Sequence, residues 1–149
     1  MLKTRIPPPV VMLAFVLLLY ISSFMVGKFT FAGQSFIAFL LFITGLGCLF
    51  AAVIEFKKAK TTVNPLDPGS ATYLVVNGVF KHTRNPMYLG FFIIIAAAGV
   101  YLGVWTLLLL LPLFIPALNY LQIIPEEIAM QKIFGEEYIS YCNSVRRWI

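Results

Sequence analysis

Between Asn85 and Pro125 the chain runs for 41 residues without a formal charge. An apolar helix crosses the hydrocarbon of a bilayer in about 20 residues. As one helix, this stretch would extend about 60 Å at 1.5 Å per residue, twice a bilayer core. It must therefore fold back on itself. The break is expected at Gly99-Val100-Tyr101-Leu102-Gly103, where glycines loosen the helix and a tyrosine suits the membrane interface. Two further uncharged stretches, Ile6 to Gly27 and Phe29 to Ile54, hold one span each.

The expectation is an all-α integral membrane helical bundle forming a single domain over 1–149. Its four spans fall near 8–27, 32–54, 87–101 and 104–124, with a loop 55–85 and a tail 125–149. Composition excludes the alternatives. Hydrophobic residues make up 60% and charged residues 11%, against roughly 25% charged in a soluble domain. A small soluble enzyme lacks the polar residues to cover such a surface, and a disordered tail would not carry it. Lys3 and Arg5 ahead of an apolar run resemble a signal peptide, but the run is long, lacks a small-x-small site and is followed at once by another span.

Charge placement orients the bundle. Lys3, Arg5, Lys57, Lys58, Lys60, Lys81, Arg84, Lys132, Arg146 and Arg147 share one side, and Lys28 alone lies on the other. All six acids fall on the crowded side too. The positive-inside rule makes that side, with both termini, cytoplasmic. The net charge of +5 thus follows from topology and anionic lipid, with no nucleic acid partner implied. Two cysteines, Cys48 and Cys142, and one histidine, His82, make neither a disulfide framework nor a metal site.

Polar chemistry gathers in the loop and the tail. Tyr73-Leu74-Val75-Val76 is a short β-prone or extended run, and Asn77-Gly78 a turn signal. Asn85 is placed to cap the third span with Pro86 at its first position. Arg84 either snorkels to lipid phosphates or, with the helix N-terminus, favours an anion. Pro112 and Pro116 should kink the fourth span, which ends in the polar cluster Asn119, Tyr120 and Gln122. Pro125-Glu126-Glu127 then opens a helix. Its acids either suit the helix dipole or accept hydrogen bonds from a ligand's hydroxyl or amino groups. Helical spacing of apolar residues from 130 to 145 places an amphipathic tail in the cytoplasmic interface, broken near Gly135. Arg84, Asn119 and Gln122 are the candidate contacts to a substrate; no residue declares itself catalytic.

The segment Leu74-Val75-x-x-Gly78-x-Phe80-x-x-x-Arg84-Asn85-Pro86-x-Tyr88-x-Gly90 resembles the signature of the isoprenylcysteine carboxyl methyltransferase family. Glu126-Glu127, Phe134-Gly135-x-Glu137-Tyr138-x-x-Tyr141 and Val145-x-Arg147 resemble its C-terminal half, shared in part with phospholipid methyltransferases. The resemblance implies a helical membrane enzyme that takes a methyl group from S-adenosylmethionine and passes it to a lipophilic, membrane-borne acceptor. It also implies a cofactor site at Tyr73, Leu74, Val75, Gly78, Phe80, Asn85, Pro86, Tyr88, Glu126 and Glu127. Asn85 stands where the family has histidine, and Phe80 where it has tyrosine. Leu121-Gln122-Ile123-Ile124 lacks the basic residue that eukaryotic members carry before the glutamates, which argues against a prenylcysteine carboxylate. The competing readings are a nicotinamide-dependent membrane reductase and a non-catalytic binding or assembly subunit.

Overall fold

The computed structural model describes residues 6–59 and 73–149. Their elements are helices: α1 Pro8–Ser22, α2 Gln34–Lys58, α3 Pro86–Leu102, α4 Leu107–Leu118, α5 Ile124–Phe134 and α6 Glu136–Ser144. A 3₁₀ turn, Gly78–Lys81, precedes α3, and a π-helical turn, Asn119–Ile123, joins α4 to α5. Two helices are long and apolar enough to cross a membrane: α2, of 25 residues, and the continuous Leu107–Phe134, of 28. α1 and α3 are also apolar but shorter, at 15 and 17 residues. At about 1.5 Å per residue they reach about 22–26 Å. The expected first span, 8–27, is therefore cut to Pro8–Ser22, and residues 23–26 turn back instead.

Two tight ends are built. At one end Phe29 N–H donates to the Gly103 carbonyl at 2.7 Å, and Gln34 Nε2 to the Val100 carbonyl at 2.8 Å. The Ser22 and Thr106 hydroxyls share a hydrogen bond at 2.5 Å, so α1 reaches the α3–α4 turn there. Gly103, with φ 65°, ends α3 in the left-handed conformation that a side chain disfavours. This is the fold-back expected within 99–103, and Lys28 lies beside it, bridged to Val104. The other end gathers Glu55, Arg84, Glu126, Glu127 and Arg147.

α2 and α3 approach backbone to backbone. A Cβ at Gly90 would lie 2.8 Å from the Gly45 carbonyl oxygen, and one at Gly45 would lie 2.9 Å from that of Gly90. Among lipid tails as apolar as leucine, helices associate by such close packing rather than by expelling water. The main core lies between α1, α3 and α4, where Leu19, Ile95, Phe114 and Leu118 are fully buried. A second, smaller core joins Ala52 of α2, Leu74, Val75 and Phe80 to Tyr138 and Tyr141 of α6.

Three local expectations change. Residues 73–76 form no strand: Tyr73 sits in a bend, and Leu74 and Val75 are buried in the second core. Asn85 occupies the cap position of α3 without capping it, because its Nδ2 donates to the Arg147 carbonyl at 2.9 Å. The helix carrying Glu126 and Glu127 does not start at Pro125: Leu118, Ile123 and Ile124 all keep right-handed helical backbone. Pro125 does leave a mark. Its ring would collide with the carbonyl four residues back in a straight α-helix, and the wider π-helical turn relieves that. Gly135, with φ 52°, then breaks α5 from α6 where the spacing expected a break.

Candidate functional site

The second core encloses a cavity of about 110 Å³ at the charged end of the bundle. One wall is the loop before α3, through Tyr73, Leu74, Val75, Phe80, Arg84 and Asn85. Another is Ile123, Glu126, Glu127 and Met130. The third is aromatic: Phe56 from α2, and Tyr138 and Tyr141 from α6. Phe56 meets Phe80 edge to face with centroids 5.3 Å apart. The Tyr141 hydroxyl donates to the Phe80 carbonyl at 2.7 Å, tying α6 to the loop. Burial pushes both the Tyr138 and Tyr141 hydroxyls above the usual tyrosine range, so they stay neutral donors at physiological pH.

The two glutamates have different partners. Glu126 accepts a 2.5 Å hydrogen bond from the Tyr88 hydroxyl on α3. Glu127 accepts a two-pronged contact from Arg147, Nε to Oε1 at 2.9 Å and Nη2 to Oε2 at 2.6 Å. Arg84 Nη1 approaches the same carboxylate at 3.2 Å and also contacts Cys142 Sγ. Hydrogen bonding to Glu127 raises the Arg147 pKa further above its ordinary value. The two oxygens of a carboxyl group offer up to about four acceptor positions. Among the described residues, Glu127 has three of these directions occupied, whereas Glu126 has one.

Of the residues that the sequence nominated for the cofactor, Tyr73, Leu74, Val75, Phe80, Asn85, Glu126 and Glu127 line this cavity. Gly78, Pro86 and Tyr88 stand behind it. Gly78, with φ 58°, leaves room for the Glu55 side chain, which a Cβ would meet at 2.6 Å. Pro86 is buried at the start of α3, and Tyr88 reaches the site through its hydroxyl. Of the proposed substrate contacts only Arg84 faces the cavity. Asn119 is engaged by Trp148, and Gln122 is fully buried and donates to the Ile6 carbonyl. Phe56, Met130, Tyr138, Tyr141 and Arg147 were not singled out for the site. Helical spacing had marked Met130 and Tyr138 as one face of the tail, and Tyr138, Tyr141 and Arg147 stand in the C-terminal motif, but Phe56 carried no signal. A groove of about 390 Å³ between α5 and α6 shares Glu127 and Tyr138 with the cavity.

A family model described as phospholipid methyltransferase matches residues 33–137. The chain belongs to the phospholipid methyltransferase family. Membership implies a methyltransferase, and the long apolar helices are those of a membrane protein. The matched region takes in α2 through α5, and so most of the cavity wall. An uncharacterized protein of Haemophilus influenzae is 38% identical over 63 residues, which is 42% of this chain and the whole of that relative. No solved structure matches the chain.

Proposed function

We propose that the chain transfers a methyl group from S-adenosylmethionine to a lipophilic acceptor held by the bilayer, at the cytoplasmic face. The observation that carries this reading is the convergence of the loop 73–85 and the pair Glu126–Glu127 on one aromatic-walled cavity, within a matched methyltransferase family. The donor set fits the cofactor. Carboxylate oxygens suit its ribose hydroxyls and ammonium, and neutral tyrosines and phenylalanines suit its purine. The cavity alone is smaller than the roughly 300–1,000 Å³ of a typical ligand site. The adjoining groove supplies the remaining volume once the partners of Glu127 yield.

Bound there, S-adenosylmethionine would supply the electrophilic methyl group. The chain's own residues bind, orient and exclude water. Glu126, with acceptor capacity to spare, takes the cofactor's polar groups; Phe56, Phe80 and Tyr141 wall off its flat ring. Alignment of two bound reactants gives most of the rate without an acid or base where the acceptor is already nucleophilic, as a carboxylate or an unprotonated amine is. A site at the mouth of an apolar bundle admits a polar cofactor from the cytosol and an acceptor from the bilayer. Four crossings, with both termini and the loop 55–85 cytoplasmic, complete this proposal.

A nicotinamide cofactor would need more cationic groups for its phosphates. Among the described residues, Arg84 is the one basic side chain lining the cavity, and it is already paired. Calorimetric titration of detergent-purified protein tests the proposal. S-adenosylmethionine or S-adenosylhomocysteine should bind and NADPH should not; the opposite result would overturn it.

A further inference from the structure

The helix that carries both glutamates contains one residue more than α-helical geometry requires. Within Asn119–Ile123 the Ile124 N–H reaches back five residues, to the Asn119 carbonyl. Each residue of an α-helix adds about 100° of rotation, so the extra one turns everything downstream by about that angle relative to α4. Upstream, Phe114 and Leu118 face the main core and are fully buried. Downstream, Glu126 and Glu127 face the cavity, and Ile123, which closes the turn, touches both the main core and the cavity. Single π-helical turns of this kind recur at functional sites because they re-aim side chains without breaking a helix.

Both side-chain amides of the turn are committed to distant partners. The Trp148 indole N–H donates to Asn119 Oδ1 at 3.0 Å, and Gln122 Nε2 donates to the Ile6 carbonyl. Gln122 has no exposed surface, and its Oε1 finds no partner among the described residues. An orphaned buried acceptor costs stability, and packing alone would be served better by an apolar side chain of the same volume. What the amide provides is an anchor between the turn and the segment entering α1.

We propose that the π-helical turn is an aiming device, and that Trp148 and Gln122 are positioning residues that hold it so that Glu126 and Glu127 face the cofactor cavity. The proposal rests on the reading of that cavity as the cofactor site. Neither residue touches the cavity; each acts through the turn. The two anchors come from opposite ends of the described chain, so the glutamates reach their final direction only when residues 6 and 148 have both docked.

The test is the dissociation constant of S-adenosylhomocysteine for the full chain in detergent. Trp148→Phe keeps the ring and removes the N–H, and should weaken binding about tenfold. Asn119→Leu and Gln122→Met should do the same, while Asn119→Asp, which keeps the acceptor, should stay within about twofold of the parent. In a double-mutant cycle, Trp148→Phe should add nothing to Glu126→Gln, because the group it positions is already altered. A merely structural role would lower melting temperatures, leave the affinity of the folded protein unchanged and give no coupling, and that result overturns the proposal. Failure of the parent itself to bind would instead overturn the cofactor reading, and this proposal with it.

Discussion

Replacing Glu127 by glutamine should destabilise the protein, whereas the same change at Glu126 should not. Glu127 is where two guanidinium groups converge: Arg84 is 13% exposed at its side chain, Glu127 18% and Arg147 37%. Breaking a buried ion pair from one side costs about 3–5 kcal/mol, because the remaining charge is left uncompensated. Arg84 is badly placed to absorb that loss, since its Nε already lacks a partner among the described residues. The share of Arg147 is small, because water screens a half-exposed pair to about 0–1 kcal/mol. The glutamine carbonyl still accepts one bond, which returns about 1 kcal/mol. The net loss is then about 2–4 kcal/mol, or roughly 4–16 °C in melting temperature at about 2–4 °C per kcal/mol. Glu126→Gln keeps an acceptor for the Tyr88 hydroxyl and should cost no more than about 1 kcal/mol, or about 2–4 °C in midpoint. Thermal melts in detergent, followed by tryptophan fluorescence, measure both. Equal midpoints for Glu127→Gln and the parent would refute the ion-network reasoning. With stability accounted for, S-adenosylhomocysteine affinity should fall about ten- to a hundredfold in Glu126→Gln, which has the freer carboxylate.

Gly90→Ala should cost about 1–3 kcal/mol in the same melts, because its Cβ meets the Gly45 carbonyl of a neighbouring helix; Gly47→Ala, with nothing within 4 Å, is the control that should be silent. Gly78→Ala should lower cofactor affinity, since it combines a left-handed backbone with a collision at the Glu55 carboxyl group, and an unchanged dissociation constant would remove the loop from the site. For orientation, a membrane-impermeant thiol reagent should label an introduced cysteine at position 30 in intact cells and spare one at position 66; the reverse labelling would invert the topology.

The membrane character, the fold-back near Gly103 and the clustering of charge at one end were all legible in the sequence, because each follows from local quantities: run length, residue type and sign of charge. Most of the cavity wall was legible too, since the loop 73–85 and the glutamate pair carry recognisable residues in order. The extent of α1 was not, because an uncharged run says how far a helix could continue and not where Ser22 finds Thr106 and turns. The partners of polar groups were likewise out of reach. Asn85 looks like a helix cap from its neighbours, but a carbonyl 62 residues away takes its amide instead. Asn119 and Gln122 read as groups awaiting a substrate, until packing brings Trp148 and Ile6 against them. The sequence by itself determines which segments are apolar enough to enter a bilayer, since transfer free energy depends on the residues alone. Only the tertiary structure decides which polar groups remain free for a ligand, because a hydrogen bond is a relation between two positions and the chain brings them together only on folding.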